Sequence, residues 1–187
     1  MEGIVENEMI QVIKKTREYL DYIEEHYNNV QEAWKILQDK CKHFSFIYDD
    51  WKYSVIEGMV KTHDVSKLDK EEFVQYRRYF FPTDGEKHEA SHHGISHKYY
   101  FGESFNKACK HHKKENQHHW ENWASKKYYN PYEEYLHFVH MIIDWVAMSL
   151  KFGDTALEYY EKNKAQMELP EWADESILEI LEAVYKK

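Results

Sequence analysis

The chain is expected to fold as an all-α protein, and three features of its sequence carry that expectation. Residues 8 to 40 contain no glycine or proline and place apolar side chains at helical spacing. Glycine and proline are scarce throughout, 6 and 3 in 187 residues, which favours helices joined by few long turns. No segment shows the period-two alternation of a half-buried strand.

In the first helix, Glu8 to about Lys40, Tyr19, Ile23, Val30, Trp34 and Leu37 form the apolar stripe, and His26 falls inside it. A second helix, about Asp50 to His63, carries Trp51, Val55 and Met59 on one face, and the next step of four reaches His63. After the break at "HDVSKLDKEEF", Asp69 as N-cap with Glu72 three residues on predicts a capping box and a third helix from Lys70 to about Phe80. Residues 81–104 carry turn chemistry at Pro82, Asp84, Gly85, Gly94 and Gly102 and read as a long irregular insertion.

Ser104 then caps a fourth helix with Phe105, Ala108 and His112 on one side and His111 beside it. Asn116 ends that helix, leaving His118 and His119 in the turn beyond. Pro131 suits a first helical position, and the helix it opens runs to about Phe152. It aligns Leu136, His140, Ile143, Asp144 and Ala147. Two shorter helices, about Thr155 to Gln166 and Asp174 to Tyr185, close a chain read as one domain over 1–187.

A formal net charge of −9 argues against non-specific nucleic-acid binding or attachment to an anionic membrane. No run of 18 apolar residues and no signal-peptide pattern is present, so the expectation is a cytoplasmic protein without membrane contact. Cys41 and Cys109 form no ligand pair and read as small hydrophobes in a reducing compartment. The 16 Tyr, 9 Phe and 6 Trp promise an aromatic core, and any exposed share could build a homodimer interface.

Polar side chains on inward faces or at helix ends form an ordered series. It runs His26, then His63 with Asp64, then His111 or His112, then His118 or His119, and finally Asp144. Imidazole and carboxylate together suit iron, manganese, zinc or nickel, whereas calcium prefers an all-oxygen site. Asp144 lies within "MIIDWVAM", where an aspartate is costly to bury unless it is paired or bound to metal. His140, one turn before it, suits either core packing or orientation of a ligand. His88/His92 and His93/His97 are each four apart but have no implied carboxylate partner, and they read as part of a lid rather than a metal site.

This series resembles the HD-domain superfamily of metal-dependent phosphohydrolases. "HDVSK", His63 to Lys67, is close to the "HD-x-G-K" signature of the HD-GYP branch. More narrowly, "YIEEHYNNVQEAW", "HDVSKLDKEEFVQYRRYFFP" and "ACKHHKKENQHHWENW" are similar to an uncharacterised bacterial and phage family related to HD domains. The resemblance spans about Tyr22 to Asp154 and implies an HD-like helical bundle. It further implies that His26, His63, Asp64 and Asp144 hold one divalent ion, with Asp64 bridging to a second. That second ion would take one of His111/His112 and one of His118/His119. His112 is favoured because it shares a face with Ala108, and His118 by a narrower margin.

Asp64 and Lys67 would be the catalytic pair. Lys67, with His111, His119 and Arg77 as further candidates, would meet the phosphate of a small phosphorylated substrate, a nucleotide or a relative. The implied reaction is phosphoester hydrolysis, of a monoester or a diester, by a metal-bound hydroxide. Ser66 stands where HD-GYP proteins have glycine and the "GYP" motif is absent, so a cyclic dinucleotide substrate is not inherited. Two other functions are compatible with the same ligands: a mixed-valent di-iron oxygenase of the superfamily, and a non-catalytic nucleotide-binding accessory protein. The implied setting is a bacterial cell or a phage-infected host.

Overall fold

The computed structural model describes residues 2–122 and 131–186, with side chains described for 8–122 and 133–186. All regular structure among them is helical, as expected. The helices are α1 (Glu2–Lys40), α2 (Ser45–Tyr48), α3 (Asp50–Lys61), α4 (Phe73–Phe80), α5 (Asp84–His92), α6 (His97–Tyr100), α7 (Gly102–Glu115), α8 (Pro131–Phe152), α9 (Ala156–Asn163) and α10 (Glu171–Tyr185). Short 3₁₀ turns occupy Val65–Leu68, Trp120–Asn122 and Lys164–Gln166. No helix among the described residues is long and apolar enough to cross a membrane.

The chain was expected to form one domain, and its internal packing groups it into two units. Met1–Glu25 belongs with Asp64–Glu115, and His26–His63 belongs with Asn116–Lys187. The first of the three boundaries falls inside the unbroken helix α1, where composition marks no break.

The unit of His26–His63 and Asn116–Lys187 has the larger apolar core. α1 contributes Val30, Ala33, Trp34 and Leu37, α3 contributes Ile56 and Val60, and α10 contributes Ile177, Ile180, Leu181 and Val184. α8 supplies Leu136, Phe138, Val139, Met141, Ile142, Ile143, Val146 and Ala147, all essentially removed from solvent. A helix apolar nearly all round is a buried helix. Each of its large side chains contributes roughly 1.5–3 kcal/mol by burial, and His140 and Asp144 are exceptions within that surface. α9 is started by a reciprocal capping box between Thr155 and Glu158.

In the other unit a small aromatic core is joined to a polar network. Tyr19 of α1 packs on Phe73 at 5.2 Å between ring centroids, and Tyr76 of α4 packs on Phe105 of α7, also at 5.2 Å. Arg77 reaches Glu86 through two short contacts of 2.6 and 2.5 Å, and Arg78 Nε adds a third at 3.0 Å.

Two expectations are corrected in this unit. α4 starts at Phe73 rather than Lys70, with no side-chain cap at its beginning, because the Glu72 carboxylate is taken by His111 and His112. Residues 81–104 are mostly helical rather than irregular. Thr83 and Glu86 form a capping box that starts α5, so Asp84 and Gly85 fall in its first turn, where an acidic residue also suits the helix dipole. Gly94, at φ +68°, takes the left-handed conformation just past the α5 C-cap. Ser96 caps α6, and α7 begins at Gly102, two residues before Ser104. His88, His92 and His93 therefore lie exposed along α5 and its C-cap, and His97 opens α6.

Candidate functional site

Each unit brings histidine and carboxylate side chains together. In the unit of His26–His63 and Asn116–Lys187, His26 projects from α1, and His63 stands two residues past the end of α3. His140 and Asp144 lie one turn apart on α8. His118 and His119 occupy the turn before Trp120–Asn122, which is pinned where the Asn122 side chain donates to the Asn116 carbonyl at 2.9 Å.

Three ligand-type atoms of this cluster face one another. His26 Nε2 lies 3.0 Å from His63 Nε2 and 3.3 Å from Asp144 Oδ1, and His63 Nε2 lies 3.6 Å from the same oxygen. One proton can bridge only one of those three contacts, whereas one cation serves all three. Donor atoms about 2.1 Å from an ion at angles near 90–110° stand about 3.0–3.4 Å apart, close to the spacing found. Asp144 Oδ1 is sealed from solvent and accepts no hydrogen bond of good geometry among the described residues. The donor set could therefore hold a metal ion. Around it, His63, His118 and His140 bring ligand atoms within 4.8 Å of one another, as do His118, His119 and Asp144. His63 Nδ1, on the far side of its ring, lies 2.9 Å from His140 Nε2.

In the unit of Met1–Glu25 and Asp64–Glu115, Asp64 adopts a left-handed backbone, φ 55° and ψ 22°, before the turn Val65–Leu68. Its Oδ2 pairs with Lys67 Nζ at 2.6 Å, and its Oδ1 lies 3.3 Å from His112 Nε2. Behind His112 is Glu72, whose side chain is fully buried. One Glu72 oxygen contacts His111 Nδ1 at 2.7 Å and the other contacts His112 Nδ1 at 2.9 Å. Burial pushes the Glu72 carboxyl up, but hydrogen bonds from His112, His111 and Ser66 outweigh it and hold the group below its ordinary range. The hydrogen bond to Glu72 raises His111.

Of the ligands expected from sequence, His26, His63, His118 and Asp144 converge in one cluster, and Asp64 and His112 meet in the other. His119, offered as a phosphate contact, lies with His118 and Asp144. Lys67 is engaged with Asp64, and His111 with Glu72. Arg77, offered as a further phosphate contact, has its guanidinium buried and held by Glu86. Glu72 was missed, since its place three after Asp69 is also what a capping box requires. Ser66, a departure from the HD-GYP pattern in sequence, is buried with its Oγ 3.2 Å from His112 Nδ1.

Residues 15–187 match the model of a family of unknown function (DUF5662). No curated protein and no solved structure matches the chain.

Proposed function

For this chain, which belongs to the DUF5662 family, we propose metal-dependent hydrolysis of a phosphoester of a nucleotide or a related small molecule. The observation that carries the reading is the triangle of His26 Nε2, His63 Nε2 and Asp144 Oδ1, a set of mixed imidazole and carboxylate donors at ligand spacing. The order of the same residues in the sequence, which resembles that of HD phosphohydrolases, selects hydrolysis among the reactions such a site supports.

Iron, manganese, zinc and nickel all suit the donors. When bound, a divalent ion supplies water ionised near neutral pH and neutralises charge on a phosphoryl oxygen. His26, His63 and Asp144 hold the ion. Asp64 enters the reading through the resemblance, as the residue following His63 in the chain. Lys67 balances the Asp64 carboxylate and reaches a substrate phosphate by sharing that contact.

Protein purified without chelator should contain one or two equivalents of transition metal, and with manganese it should release phosphate or a nucleoside monophosphate under anaerobic conditions. Asp144→Asn should remove most of the bound metal and with it the hydrolysis. Activity that needs oxygen and iron would replace this reading with the di-iron oxygenase. Metal-free protein that binds nucleotides equally well with and without Asp144→Asn would leave only the accessory-protein reading.

A further inference from the structure

We infer that Glu72 is a positioning residue that sets the tautomer of both His111 and His112, so that His112 presents Nε2 as an unprotonated donor atom toward Asp64. Both rings turn Nδ1 to the same carboxylate, at 2.7 and 2.9 Å. An ionised carboxylate has no proton to give, so each Nδ1 must carry one and donate it. A neutral imidazole protonated at Nδ1 has its lone pair on Nε2, and His112 Nε2 lies 3.3 Å from Asp64 Oδ1. Two acceptors then face each other, an arrangement that a cation relieves.

The same geometry separates the adjacent histidines. His112 is buried and aims its second nitrogen at Asp64, while His111 keeps 28% of its side chain exposed and serves as the other anchor of the carboxylate. Glu72 is thus the acceptor behind a metal-facing imidazole, a role in which carboxylates commonly raise ligand basicity and fix ring orientation. Glutamine cannot replace it fully. An amide offers one oxygen to two Nδ1–H donors, and its NH₂ forces the other ring into the Nε2–H tautomer.

The importance of this role for function rests on the metal reading above, but the tautomer itself does not. The test uses the full chain, ¹⁵N-labelled and chelator-treated, with histidine tautomers read by long-range ¹⁵N–¹H correlation at mildly alkaline pH. In the wild type His112 should be the Nδ1–H tautomer, and in Glu72→Gln it should shift toward Nε2–H. In Glu72→Gln combined with His111→Ala, the amide oxygen is released to His112 and its NH₂ turns to the half-exposed opening. His112 should then return to Nδ1–H, a rescue that loss of packing alone would not produce.

Affinity for a second equivalent of manganese should fall about 10–100-fold in Glu72→Gln and recover in the double variant. A wild-type His112 that is Nε2–H, or an imidazolium protonated on both nitrogens, overturns the inference, as does a tautomer indifferent to Glu72→Gln. If Glu72→Gln does not fold, the wild-type spectrum still decides. A wild type with the expected tautomer that takes up no second manganese supports the inference while removing His112 from the metal site.

Discussion

Asp64 joins an uncommon backbone conformation to a carboxylate paired with Lys67. Left-handed φ values cost most L-residues roughly 1–2 kcal/mol, while aspartate and asparagine adopt them more readily. Asn is therefore the informative substitution. Asp64→Asn and Asp64→Ala both remove the charge that pairs with Lys67, but only Ala adds backbone strain. Asp64→Ala should unfold at lower urea than Asp64→Asn, by about 1 kcal/mol in extrapolated free energy, and equal midpoints would dismiss the strain. The "HD" pair and the following lysine are legible in the sequence. That Ser66, within the turn, backs His112 is not, because the two lie 46 residues apart.

Among the helices, the α4–α5 corner departs most from its sequence reading. Pro82, Asp84 and Gly85 are turn residues in isolation, but Thr83 and Glu86 cap each other and Arg77 anchors Glu86 from the preceding helix. Burial pushes Glu86 up, yet the Arg77, Thr83 and Arg78 contacts prevail and hold it below its ordinary 4.5. A carboxyl depressed in the folded state adds stability that is complete above the unfolded value and is lost as pH falls through the folded one. Glu86→Gln should cost about 3–5 kcal/mol at neutral pH, because it leaves Arg77 buried beside a neutral group. The gap between wild type and variant should narrow below pH 4.5, as followed by denaturant titrations at several pH values. A gap that is constant with pH would mean that the ion pair adds nothing beyond packing.

Across the larger unit, the metal-type ligands come from α1, the turn after α3, the turn holding His118 and His119, and α8. An ion bound by all of them binds the folded chain and not the unfolded one, and at a hundredfold excess over its dissociation constant it adds about 2.7 kcal/mol. Manganese should therefore raise the melting temperature of chelator-treated protein by about 5–10 °C, and should leave Asp144→Asn unmoved. Differential scanning calorimetry with and without the ion reads this directly. The acidic chain, with its net charge of −9, gives no other reason for so large an effect confined to one carboxylate.

From the sequence alone came the helical class, the α8 bounds and the residue types of the candidate ligands, because a helix writes its buried face into its own local spacing. Val30, Trp34 and Leu37 recur every three or four residues whatever they pack against. The partners of polar groups obey no such spacing. Glu72 could cap α4 or accept from His112, 40 residues away, and His140 could fill the core or back His63, 77 residues away. A carboxylate or imidazole hydrogen-bonds whichever donor or acceptor packing brings within about 3 Å, and packing is a property of the folded chain.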